Sequence, residues 1–116
     1  VILDAYNANP SSMEHALYNL QRKTEIDKMA ILGDMLELGE VSPEEHRKMA
    51  ILAQSVTPTL ILVGEEFRTV AEELDIQHFD NALSLRPWFQ TQDFKGKLIL
   101  IKGSRGIGLE RILAET

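Results

Sequence analysis

Five apolar runs alternate with five segments of helical period along this chain, and that alternation restricts the fold more than any single motif does. The runs are VILDAY (1–6), KMAILGDM (28–35), TLILVGE (59–65), IQHFD (76–80) and KLILIKG (97–103). Three of them are nearly continuous Ile, Leu and Val, the pattern of strands covered on both faces in a parallel sheet. Between them stand PSSMEHALYNLQ, SPEEHRKMAILAQSV, EEFRTVAEEL, NALSLRPWFQ and finally IGLERILAE. Met13, Leu17 and Leu20 recur at three- and four-residue steps, as do Met49, Leu52 and Val56, so these segments each offer an apolar stripe to a sheet. Asn9 with Pro10 predicts a cap followed by a first-turn proline, and Ser42-Pro43-Glu44-Glu45 predicts a capping box. Strict β-α alternation requires right-handed crossovers. The expected fold is α/β, a three-layer Rossmann-like doubly wound, mostly parallel sheet with helices on both faces, in a single domain over 1–116.

Composition narrows the chemistry. A net charge of −6, with twelve scattered basic residues, opposes general affinity for nucleic acid, which needs clustered Lys and Arg. No run of eighteen apolar residues is available for a membrane span. Zero cysteines exclude disulfides, thiolate catalysis and Cys-ligated zinc, and they suit a cytoplasmic setting. His15, His46 and His78 fall on separate elements, so a histidine metal site is not expected, and His46 reads as a solvated helix residue. Residue 1 is a Val inside an apolar run, so the chain reads as a fragment of a longer protein.

In doubly wound sheets, ligands bind outside the carboxyl ends of the strands. Those ends here carry Asp4 to Asn7, Gly33 to Met35, Gly64-Glu65, Asp80 and Lys102 to Arg105. The stretch KGSRGIGLE (102–110) is a glycine turn between a strand and a helical segment, the form that cradles a phosphate at a helix start. It does not fit a dehydrogenase, because that turn should follow the first strand and no Tyr-x-x-x-Lys pair is present. No G-x-x-x-x-G-K-[ST] loop and no G-x-S-x-G elbow occur either. A domain of this kind that meets ATP must therefore leave the phosphates to another domain.

Three stretches taken together, DAYNANPSSM (4–13), LGDMLELGE (32–40) and KGSRGIGLERIL (102–113), resemble the C-terminal domain of the Mur ligases, in the branch that adds D-alanyl-D-alanine. The resemblance spans essentially the whole chain. It implies a three-domain enzyme with an N-terminal domain for the UDP-sugar, a central domain with the ATP loop, and this domain closing over both. It also implies ATP and Mg2+ as cofactors, bound mainly by the central domain, with UDP-MurNAc-tripeptide and D-Ala-D-Ala as substrates. The alternatives are a stand-alone domain for a nucleotide or small zwitterion, or a Mur ligase adding a different amino acid.

The resemblance assigns Asp4, Tyr6, Asn7 and Asn9 to the ATP edge, with Asp4 on the ribose hydroxyls. A second aspartate, frequent just before this one in the family, is replaced by Leu3. Asn9 is also the obvious helix cap, and a buried strand-end tyrosine would equally explain Tyr6. Asp34, Glu37, Lys102, Ser104 and Arg105 are assigned to positioning of the dipeptide. Asp34 and Glu37 either receive its ammonium, steer their loop, or cap backbone. Ser104 and Arg105 grip its carboxylate together with turn amides, or else Ser104 caps a helix beside two surface cations. No catalytic residue is expected from this domain alone. Trp88 and the four methionines read as packing residues.

Overall fold

A computed structural model of the chain describes residues 2–4, 8–23 and 27–113. Its strands are β1 (Ile2–Asp4), β2 (Lys28–Gly33), β3 (Thr59–Val63), β4 (Gln77–Phe79) and β5 (Leu98–Lys102). Its helices are α1 (Pro10–Arg22), α2 (Ser42–Val56), α3 (Glu65–Leu74) and α4 (Ala82–Gln90). The strands form one sheet in the order β1-β5-β2-β3-β4, and every pairing is parallel.

The strand sequences dictate a core on each face, because alternate side chains point to opposite sides. Ala30, Leu32, Leu60, Leu62 and Leu100 face one cluster, with Met13 and Leu17 of α1, Met49 and Ala53 of α2, and Phe67 of α3. Met29, Ile31, Ile61, Val63, Ile99 and Ile101 face the other, with Leu85 and Phe89 of α4 and Leu109. Helices α1 to α3 carry the chain along the sheet on one face; α4 returns it on the other, placing β5 between β1 and β2. All four methionines are buried, and Trp88 packs in the second core between Phe79 and Phe94.

Local signals decide the caps unevenly. Asn9 caps α1: its side chain accepts from Ser12 N–H at 2.9 Å, while Ser12 Oγ accepts from Asn9 N–H at 3.1 Å. Asn81 and Ser84 repeat the device on α4. The capping box expected from Ser42 does not form. A 3-10 turn, Gly39–Val41, runs directly into α2, so Val41 takes the cap position and Ser42 becomes the first helical residue. The buried face of α2 is accordingly Ser42, His46, Met49, Ala50 and Ala53, with Leu52 and Val56 only partly buried beside it.

The last helical segment also departs from expectation. Residues 105–113 form two short 3-10 turns, Arg105–Ile107 and Leu109–Leu113, instead of an α-helix. Their bonds are short-range: Ile107 N–H donates to Ser104 O, Gly108 N–H to Arg105 O and Arg111 N–H to Gly108 O. Gly108, at φ 68°, stands in the left-handed region between the turns and interrupts any continuous helix. Three glycines in six residues make that outcome inexpensive, since glycine disfavours helix interiors.

Candidate functional site at the carboxyl rim

The strand order brings three loops side by side, because β5 lies between β1 and β2. Asp4 pairs with Lys102 in register, so β1 and β5 end at the same edge of the sheet. Ala8, Asn9, Leu36, Glu37, Leu38, Ser104, Arg105 and Gly106 line a cavity of about 510 Å³ there. These residues come from the three stretches that carry the family resemblance, which are separated by tens of residues in sequence.

Ser104 ties the loops together. Its Oγ accepts from Leu36 N–H at 2.8 Å and donates to Ala8 O at 3.2 Å, and its own N–H donates to Asp34 O at 3.0 Å. It makes no side-chain cap bond. A hydroxyl has a single proton, so with Ala8 O engaged Ser104 keeps acceptor capacity but has no further donor for an anion. In place of a helix cap, Ser104 is a tie between the loops. Residues 105–107 form a single 3-10 turn and not the start of an α-helix. Arg105 is exposed on the cavity wall and remains free to present its guanidinium fork.

Asp34 is 3% exposed and does not line the cavity. Its Oδ2 accepts from Glu66 N–H at 3.0 Å and its Oδ1 from Phe67 N–H at 3.1 Å, closing the start of α3. Of the readings open for Asp34, these bonds are those of backbone capping, with the carboxyl off the cavity wall. The carboxyl follows the strand end inward because the neighbouring orphan amides of α3 need an acceptor. Lys102, 1% exposed, likewise belongs to the interior and not to the surface, so the pair of surface cations is reduced to Arg105. Glu37 is exposed, lines the cavity and adopts φ 64°, a left-handed conformation in a non-glycine residue at the loop's apex. Asn9 lines the cavity while capping α1, so both of its readings can hold together. Tyr6 and Asn7 lie outside the described residues, and of Asp4 only the backbone pairing is described.

Sequence reasoning missed His46. It is buried, not solvated. Its Nε2 accepts from Met35 N–H at 3.0 Å, which leaves the proton on Nδ1, donated to Ser42 O at 2.8 Å. The ring meets Phe67 edge-on at 4.6 Å between centroids. The signal was available in its spacing, since His46 stands one turn before Met49 and Ala50 on the face that packs inward.

Burial is the largest influence on Asp34 and pushes its carboxyl above the ordinary value, against the two amides, which pull it down. A carboxyl whose pKa rises on folding contributes most below its unfolded pKa, and that contribution declines as pH rises through the folded one. Asp34→Ala should cost about 1–3 kcal/mol by orphaning two amides. In urea unfolding across the acid range, the gap between parent and variant should narrow as pH rises. A widening gap would show the opposite shift.

Among the described residues, no group of three or more His, Asp or Glu is placed to hold a metal ion. No helix among them is long and apolar enough to cross a membrane.

The fold defines a doubly wound α/β domain of the Rossmann-like class. The family model "Mur ligase, glutamate ligase domain" matches residues 1–105, and the chain belongs to that family. A UDP-N-acetylmuramoyl-tripeptide–D-alanyl-D-alanine ligase of Treponema pallidum is 33% identical, over 96% of this chain and 26% of its own length. The crystal structure of MurF from Acinetobacter baumannii superposes with a TM-score of 0.78 at 28% identity, over 95% of this chain and 25% of its own. MurF ligase from Thermotoga maritima, in complex with ADP, gives 0.74 at 29%, over 95% and 26%. The chain thus spans about a quarter of the length of these relatives.

Proposed function

We propose that this chain is the C-terminal domain of an ATP-dependent ligase that joins D-alanyl-D-alanine to UDP-MurNAc-tripeptide in cytoplasmic peptidoglycan precursor synthesis. One observation carries the reading: the three stretches typical of that branch meet around a single cavity at the strand ends. The relatives' names supply the reaction, and the ADP complex of one of them supports a nucleotide on the same enzyme.

In this reading the tripeptide carboxylate is activated as an acyl phosphate on the central domain, which holds ATP and Mg2+. The present domain closes over it. Closure keeps water from an intermediate that hydrolyses readily, and aligning amine with acyl carbon lowers the entropic part of the barrier. Asp4, Tyr6, Asn7 and Asn9 form the nucleotide edge. Arg105 and Glu37 stand on one cavity with opposite charge, a match for the two ends of a zwitterionic dipeptide. Ser104 and Asp34 act indirectly, by fixing the loops that carry them, and Lys102 acts from the interior.

The full-length enzyme should release phosphate from ATP only when UDP-MurNAc-tripeptide and D-Ala-D-Ala are both supplied. A single amino acid serving better than the dipeptide would refute the branch assignment. The 116 residues alone should not hydrolyse ATP.

A further inference from the structure

In the segment that leaves β2, each amide from Asp34 to Leu36 is bound in turn. Asp34 N–H donates to Val63 O at 3.1 Å and Asp34 O accepts from Ser104 N–H. Met35 N–H donates to His46 Nε2, and Leu36 N–H to Ser104 Oγ. Ser104 belongs to the cavity wall, whereas His46 does not: it is buried behind Met35, which is itself fully buried. Beyond Leu36 the chain turns through Glu37, whose left-handed φ must be held by whatever fixes the residues before it.

We infer that His46 is a positioning residue for the dipeptide side of the cleft, acting through Met35 to set the Leu36–Glu37 apex against Arg105. This rests on the substrate reading above. The physical reason is that a buried amide without an acceptor is costly, so losing Nε2 forces the Met35 peptide to seek another partner. Leu36 and Glu37, carried on that peptide, then leave their places on the cavity wall. Ser42 O and Ser42 Oγ hold the other ring nitrogen and fix the ring's direction, and Phe67 supports its edge. Ser42 Oγ in turn donates to Glu66 at 3.0 Å, so the ring is anchored from both α2 and α3.

Two amide variants separate this role from simple packing. In His46→Gln the longer side chain reaches Met35 N–H with its oxygen. In His46→Asn the amide retains Ser42 but stops short of Met35. Both are made in the full-length enzyme and assayed by phosphate release, varying dipeptide and ATP separately. Exchange of the amides in a peptide spanning residues 33–38 is followed by mass spectrometry. His46→Asn should raise the KM for dipeptide about tenfold, since misplacement approaching 1 Å costs on the order of 100-fold. It should leave the KM for ATP unchanged and speed exchange at Met35 and Leu36, while His46→Gln stays near the parent in both readouts. Equal dipeptide KM in the two variants, or exchange at Met35 and Leu36 in His46→Asn as slow as in the parent, overturns the proposal. A parent enzyme that ignores the dipeptide overturns the substrate reading itself and with it the assignment of the loop to that ligand.

Discussion

Gly64→Ala should destabilise the chain by on the order of 4 kcal/mol, combining strain at a glycine-only backbone conformation with loss of a cap. Gly64 caps α3 at φ 114° and ψ 167°, a region that side chains with a Cβ essentially never enter. An added Cβ would also overlap the Asp34 carboxyl carbon and both its oxygens. That carboxyl has nowhere easy to go, because it is buried and bound to Glu66 and Phe67 N–H. Moving it orphans the first amides of α3. Urea unfolding of Gly64→Ala, Asp34→Ala and the double variant checks the account. The double variant should cost less than the two single changes added together, because the overlap has already been removed. Strict additivity would mean that strain at Gly64 alone explains its cost.

The second large effect lies in the central strands. Ile61→Ala and Leu100→Ala should each cost about 2–5 kcal/mol, the range for a large aliphatic side chain cut back in a close-packed core. Ile61 faces the α4 side and Leu100 the α1–α3 side, so the two substitutions test the two cores independently. Both are at most 2% exposed and stand on strands with neighbours on each side. Leu60, 8% exposed near the start of β3, should lose less. Against a total stability of about 5–15 kcal/mol for a domain, either change is severe. Unchanged melting for both would contradict a doubly covered sheet.

What could be read from the chain was what neighbouring residues decide. Unbroken Ile, Leu and Val in β2, β3 and β5 announced strands covered on both faces, and Asn9-Pro10 announced the start of α1, because pattern and cap are local. Ser42 misled because its cap role depends on where the preceding loop goes, and that loop enters α2 as a 3-10 turn. The 105–113 stretch misled because Leu109, Ile112 and Leu113 stand at helical spacing, while the glycines at 106 and 108 prevail. The hydrogen-bond partners of His46 and Ser104 were hidden for a different reason. They are 11, 68 and 96 residues away, and no local rule places a hydroxyl between Ala8 and Leu36. Of the candidate site, the rim and its residue types were legible; the division between residues that line the cavity and residues that hold the loops was not.

The insertion of β5 between β1 and β2 has a consequence for the order of assembly. During synthesis β2, β3 and β4 can pair as they emerge, but β1 has no neighbour until Leu98 to Lys102 arrive. The pocket wall from Ala8 to Arg105 is therefore completed only once β5 and the turn after it have been made. Until then a ribosome-bound chain holds no finished cavity, and the rim matures after the β2-β3-β4 part of the sheet.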